Sequence, residues 1–242
     1  MRLRHALAAF ALGAIPASAV AGPPYLTDDP VPTDFGHWEI YAFTAGDGRR
    51  STLDDESGVD LNYGGFKDVQ LTATVPLAFS HDRESGWRTG TGDLELAAKY
   101  RFIHDEKSGI SVAVFPRVIL PTSTIANGER ARLLIPVWAE KDFPGGTSLF
   151  GGGGFEINPG PGNRNVWQAG AALTQNVGDT LSLGAELARQ GRDSIDGTPR
   201  TDAGVGAILK LSSHSSLLAS GGPTWTDHRT GYHVYAALGL FF

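Results

Sequence analysis

The chain has 242 residues, no cysteine, 32 glycines and a formal net charge of −6. The missing cysteines exclude disulfides and thiolate metal sites. The acidic balance argues against a nucleic-acid partner.

Arg2 and Arg4 precede an apolar run from Ala6 to Ile15, and the small residues Ala17-Ser18-Ala19-Val20-Ala21 follow. A basic start, a short apolar stretch and an Ala-x-Ala site read as a secretory signal peptide over 1–21, cleaved after Ala21. The run is too short for the roughly 20 residues of a spanning helix. No lipobox cysteine is present, so no lipid anchor is expected. Residues 22–35 form a Pro-rich lead, expected to lie in the periplasm, and residues 36–242 form the folded unit. No later segment reads as a transmembrane helix. A membrane form must therefore be a closed barrel, the other architecture that satisfies every backbone group in lipid.

From residue 36 the chain divides into about twelve stretches of roughly 8–13 residues with period-two hydrophobicity. First, Trp38, Ile40 and Ala42 stand opposite Glu39. In the clearest strand, Leu94, Leu96, Ala98, Tyr100 and Phe102 oppose Asp93, Glu95, Lys99 and Arg101. Next, Ile110, Val112, Val114 and Val118 oppose Arg117. Further on, Leu181, Leu183, Ala185 and Leu187 oppose Ser182, Gly184 and Glu186, and Ala203, Val205, Ala207, Leu209 and Leu211 oppose Asp202 and Lys210. The last stretch puts Tyr232, Val234, Ala236, Leu238, Leu240 and Phe242 on one face. Leu238, Leu240 and the terminal Phe242 resemble the signal that barrel-assembly machinery reads. Gly151–Gly154 is too glycine-rich for a firm strand and admits a bulge.

Long connections are expected around Gly48–Glu56, His81–Thr89, Thr122–Glu129, Pro159–Asn163, Gly191–Pro199 and Thr226–Thr230. They alternate with tight turns at Gly64-Gly65, Asp105–Ser108, Pro144–Gly146, Gly178-Asp179 and Ser212–Ser215. This alternation fits short periplasmic turns and longer outer loops. The fold expected is an all-β, up-and-down antiparallel transmembrane barrel of about 12 strands in the outer membrane of a Gram-negative bacterium, with both termini periplasmic.

The stretch Gly90-Thr91-Gly92-Asp93-Leu94-Glu95-Leu96-Ala97-Ala98-Lys99-Tyr100-Arg101-Phe102 resembles the G-x-G-D-x-x-L-x-x-K-Y-R-F block of outer-membrane proteins related to the phenol-degradation meta-pathway transporter. The step from Pro116 to Thr122 and the closing Gly-Leu-Phe-Phe are similar to the same group. The resemblance implies a β-barrel acting in uptake of hydrophobic or aromatic compounds, and it implies no catalytic residue.

Parity alone directs Glu39, Glu95, Lys99, Arg101, Arg117, Arg132, Trp138, Glu140, Phe150, Glu156, Glu186 and Lys210 inward, because a charge facing lipid at mid-membrane costs about 2–4 kcal/mol. These charges are nearly balanced. They fit either a water-filled pore whose field selects solutes or a paired network that plugs the lumen. A twelve-strand barrel, roughly 25 Å across, has a lumen that long side chains largely fill. Trp138 and Phe150 either contact an apolar solute or fill space. Trp38, Trp167 and Tyr232 read as interfacial girdle residues. Tyr41, Tyr100, Trp87 and Trp225 fit a girdle or a ligand path.

His37, His81, His104, His214, His228 and His233 show no metal-binding spacing, and no cofactor is implied. Ser123 or Ser194 with His81 or His228 could be imagined as an outer-leaflet lipid-modifying set, but no Gly-x-Ser-x-Gly elbow supports it. Asp54, Asp55 and Glu56 read as a solvated loop, or as holders of divalent cations shared with lipopolysaccharide. The partners expected are outer-membrane lipid and lipopolysaccharide, the assembly machinery and a small hydrophobic solute. The function expected is a channel or transporter rather than an enzyme, with a structural or adhesion barrel as the alternative.

Overall fold

A computed structural model describes residues 24–125, 130–227 and 229–242. The expected signal peptide, His228 and part of the Thr122–Glu129 loop lie outside them. The described residues form β1 (Trp38–Gly48), β2 (Thr52–Phe66), β3 (Val69–Asp82), β4 (Gly86–Thr91), β5 (Leu94–Asp105), β6 (Ile110–Val114), β7 (Arg117–Leu120), β8 (Arg132–Phe143), β9 (Thr147–Ile157), β10 (Val166–Val177), β11 (Leu181–Gln190), β12 (Arg200–Ser212), β13 (Ser215–Thr226) and β14 (Arg229–Phe241).

These segments make a closed antiparallel barrel of twelve strands. β4 and β5 both pair with β3 and form one strand broken at Gly92-Asp93. β6 and β7 both lie between β5 and β8 and form one strand broken at Phe115-Pro116. The second break has a direct cause, since Pro116 has no N–H to give the ladder. Closure comes from β1 and β14, in register from Glu39↔Phe241 to Gly48↔Tyr232. Trp38 and Phe242 exchange both backbone hydrogen bonds at 3.0 Å. The last strand thus pairs with the first, as its alternation predicts.

Side chains alternate across the wall. Leu71, Val75 and Leu77 on β3, Ile135 and Val137 on β8, and Leu183 and Leu187 on β11 are all exposed on the outer face. A belt of this extent is an association hazard in water and is satisfied in hydrocarbon. Trp38, Trp167, Trp225 and Tyr232 share the outer face with it. Tyr41 is different: it points inward, is 4 % exposed and packs with Leu218 and Ala237.

The termini of the barrel and its short turns lie at one end, called here the turn end. Several expected connections are shorter than the sequence suggests. β1 and β2 are joined by Arg49–Ser51, β3 and β4 by residues 83–85, and β13 runs to Thr226 with β14 starting at Arg229. Polar strand ends keep their ladder beyond the apolar belt, so low hydrophobicity there marks protruding hairpins rather than loops. Asp54, Asp55 and Glu56 accordingly belong to β2, opposite Ser80, Phe79 and Ala78 of β3. The long connections at the loop end are residues 121–131, 158–165 and 191–199.

Gly64-Gly65 is not a turn. It lies in β2 at a register shift between Tyr63 and Phe66. Gly151–Gly154 is regular strand, paired with β8 and β10 throughout. The cross-strand neighbours explain the glycines, because a Cβ at Gly152 would come within 2.0 Å of the Val137 carbonyl oxygen.

Candidate functional site: an occluded lumen

The lead is the main departure from expectation. Its described residues make their contacts inside the barrel, not below it. The chain enters at the turn end, where Phe35 bridges to Gly64 and the Gly36 N–H donates to the Gly64 carbonyl at 2.8 Å. A side chain at Gly64 would collide with the Asp34 backbone, its Cβ falling 1.9 Å from the carbonyl oxygen. From there the lead climbs and crosses to the opposite wall. Pro24, Thr27, Pro30 and Thr33 become fully buried.

A lead without ladder partners must satisfy its backbone groups elsewhere, and inward side chains do this. The Thr33 N–H donates to Gln70 Oε1 at 2.8 Å, and Gln70 Nε2 is fixed in turn by Asn62 Oδ1 at 2.7 Å and Thr72 Oγ1 at 3.0 Å. Lys99 Nζ donates to Asp28 Oδ1 at 3.0 Å and to the Asp29 carbonyl at 2.9 Å. Arg117 Nη2 takes the other oxygen of Asp28 at 2.7 Å, while its Nη1 lies 3.5 Å from Glu95. The Phe115 ring lies under both cations, 4.8 Å from Lys99 Nζ and 4.2 Å from the Arg117 guanidinium carbon. Such cation–π contacts strengthen where water is excluded. On the far wall, Glu186 accepts the N–H groups of Leu26 at 3.2 Å and Thr27 at 3.1 Å. The Ser220 hydroxyl donates to the Pro24 carbonyl.

Room for the lead comes from small inward residues on β10 to β12. A Cβ at Gly170 would fall 2.2 Å from Thr27 Oγ1, and one at Gly184 would fall 2.3 Å from the Tyr25 hydroxyl. Gly206 would meet the Tyr25 ring at 2.6 Å.

The residues directed inward by parity fall into groups. Lys99, Arg117, Glu95 and Glu186 hold the lead directly or through one neighbour. Arg132 lies 3.1 Å from Asp93 and 3.6 Å from Glu156 near the loop end. Arg101 pairs with Asp68 at 2.6 Å near the turn end. Glu39 accepts the Tyr41 hydroxyl at 2.9 Å. Trp138 is 2 % exposed and buried against the glycine stretch. Phe150 lies 6.2 Å from the Tyr25 ring, so its nearest aromatic partner belongs to the lead. Lys210 and Glu140 border the turn-end cavity described below, and Lys210 itself is exposed.

Parity missed a second polar cluster, in which Arg200 bridges Asp202 at 2.8 Å and Asp47 at 2.5 Å. Thr224 donates to Asp202 at 2.6 Å, and His233 lies 3.6 Å from Asp202 and 3.9 Å from Glu186. The inward parity of Asp202 was legible; its partners were not. Of the residues considered for an enzyme, His228 lies outside the described residues, and Ser194 and His81 take other partners. The Ser194 hydroxyl donates to Asp193, and His81 packs on Trp87 at 4.8 Å. No group of metal-ligating side chains occurs among the described residues.

Among the described residues, cavities remain around the lead. One of about 430 Å³ toward the loop end is bordered by Tyr25, Leu26, Glu56, Phe79, Arg132 and Tyr235. Another, of about 530 Å³ at the turn end, is bordered by Asp29, Val31, Glu140, Phe150 and Lys210. Between them a smaller space of about 220 Å³ lies beside the Lys99–Asp28–Arg117 cluster.

A closed barrel with an apolar outer belt and a filled polar interior belongs, by architecture, with the outer-membrane β-barrels. Among solved structures the chain is similar to an outer-membrane channel from Pseudomonas putida F1, with a TM-score of 0.72 and 12 % identity over 86 % of this chain and 96 % of that one. It is also similar to the CymD monoaromatic hydrocarbon channel, with a TM-score of 0.52 and 8 % identity over 86 % and 88 % of the two chains. A third likeness is to the translocator domain of the autotransporter NalP from Neisseria meningitidis, with a TM-score of 0.52 and 17 % identity over 86 % and 89 %. At these identities the likeness is one of fold, and the fold alone serves more than one task. No protein-family model and no curated protein sequence matches the chain.

Proposed function

We propose that the protein is an outer-membrane channel that passes a small solute with an apolar body past an internal constriction. The lead is that constriction, and the residues directed inward by parity line the path on either side. The observation that carries this reading is the presence of cavities on both sides of the lead, about 430 Å³ and about 530 Å³ in volume. Both fall in the range of roughly 300–1,000 Å³ typical of small-molecule sites. Aromatic and aliphatic groups, including Tyr25, Leu26 and Tyr235, border the first beside its charges. The hydrocarbon channel named among the similar folds and the resemblance of the Gly90–Phe102 block lend weight to an aromatic solute. Delivery would follow signal-peptide removal, with Leu238, Leu240 and Phe242 read by the assembly machinery.

A structural barrel is the second reading. It is favoured by the same anchors, which fill the middle of the lumen. Single-channel recording and solute uptake into proteoliposomes separate the two. The channel reading expects small steady conductance and faster uptake of a monoaromatic solute than of a sugar of similar size. It also expects conductance to rise several-fold when residues 24–32 are deleted. A correctly folded protein that admits neither solute, with or without the lead, is a structural barrel.

A further inference from the structure

Among the described residues, Arg189 is a cation on the outer wall at the level of the aromatic girdle near the loop end. Residues Ala169, Arg189, Thr201, Trp225 and Thr230 are paired in succession across β10 to β14. Arg189 shares its face with Leu183 and Leu187, both exposed on the outside, while Glu186 takes the other parity and points inward. The Arg189 guanidinium leans over the neighbouring strand, where Nη1 donates to Thr201 Oγ1 at 2.8 Å. This leaves most of its donor fork free. Trp225 follows on the next strand. On the other side Trp167 covers Gly191, where a Cβ would meet the indole nitrogen at 2.9 Å. Both indoles are exposed.

Charge type supports a ligand here. Arg164 and Arg192, in the connections flanking β10 and β11, are exposed and have no carboxylate partner among the described residues. Lys67 and Lys107 occupy turns at the opposite end. Guanidinium binds phosphate in a bidentate manner that ammonium cannot match, and tryptophans mark the headgroup level of a membrane. An arginine on the same lipid-facing surface, one strand from Trp167 and two from Trp225, is placed to meet a headgroup anion.

We propose that Arg189, flanked by Trp167 and Trp225, seats a phosphate of a phosphorylated glycolipid in the outer leaflet. This rests on the membrane placement of the barrel argued above. The test is native mass spectrometry of the full chain in detergent, titrated with bisphosphorylated lipid A and with the same lipid dephosphorylated. Arg189→Gln is expected to weaken binding of the phosphorylated lipid about tenfold, the loss of a charge-assisted contact. Arg189→Lys should fall between, and Lys141→Gln, on the outer face of the turn end, should match the wild type. Equal binding by Arg189→Gln and wild type overturns the proposal. So does equal wild-type binding of the dephosphorylated lipid, and so does saturation by inorganic phosphate alone at the same concentration. Failure of the protein to insert into phospholipid vesicles would instead overturn the membrane reading on which the proposal stands.

Discussion

Facing each other across the lumen, the wall built from β3, β5 and β7 and the wall built from β10 to β12 treat the same lead differently. The first presents long polar side chains: Gln70 takes the Thr33 N–H, and Lys99 and Arg117 share Asp28 between them. The second presents almost nothing at Gly170, Gly184 and Gly206, and the lead packs against bare backbone there. Glu186 is the exception, reaching from the small-residue wall to two lead N–H groups. One wall therefore fixes where the lead lies, and the other provides the space for it to lie there. Charged contacts inside a low-dielectric lumen are strong when complete and costly when broken, whereas an absent side chain contributes room and little energy.

That contrast can be broken from either side. Lys99→Ala should have the largest effect, because it strips the buried ammonium from the Asp29 carbonyl and leaves Asp28 to Arg117 alone. Removing one partner of such a pair costs about 3–5 kcal/mol. The urea midpoint of the reconstituted barrel should fall and its conductance should rise and become noisy. Adding Asp28→Asn should recover part of the loss, and if it recovers none, the pair is not the anchor described. Gly170→Leu should act next most strongly, and by shape alone. It should displace Thr27 and raise conductance while the barrel keeps its stability to within about 1 kcal/mol, since Gly170 faces inward and the lipid-facing side chains of β10 are unchanged. A large drop in the midpoint would mean that the small-residue wall is itself an energetic anchor. Arg101→Ala should do least, because Arg101 and Asp68 pair near the turn end, away from the lead. Its expected cost is about 1 kcal/mol, with the smallest change in conductance of the three. If all three variants gave the same conductance, the two walls would not differ in the way proposed.

Much of the barrel is readable in the sequence. Dyad alternation at Leu94–Phe102 and Tyr232–Phe242 places those residues on the faces they occupy, because a one-residue slip would turn Lys99 and Arg101 into lipid. The hairpin tips were harder. Asp54 looks like a loop residue, yet it pairs with Ser80 across β2 and β3, as polar side chains do where strands leave the membrane. The lead was not legible as an occupant of the lumen. Its prolines and lack of alternation correctly exclude a strand, but composition carries no information about where a non-strand segment packs. A trace was present in the inward parity of Gly170, Gly184, Gly204 and Gly206. A lumen lined so sparsely on one side needs filling from outside the strands, and Asp28 and Asp29 are the acids that Lys99 and Arg117 take as partners. An aromatic solute is implied only by the resemblance of the Gly90–Phe102 block, and no residue's geometry speaks to it.

The lead's contacts also constrain the order of assembly. Thr27 and Leu26 meet Glu186 across 159 and 160 residues of chain, and Pro24 meets Ser220 across 196. Contacts of such separation carry the loop-closure cost of everything between them. The glycine cradle does not exist until β10 to β12 stand side by side, and the Lys99 anchor needs β5 in place as well. The first residues of the folded chain are therefore among the last to find their place. Docking of the lead reports on a finished wall, so protection of residues 24–33 from protease is a late marker of barrel folding.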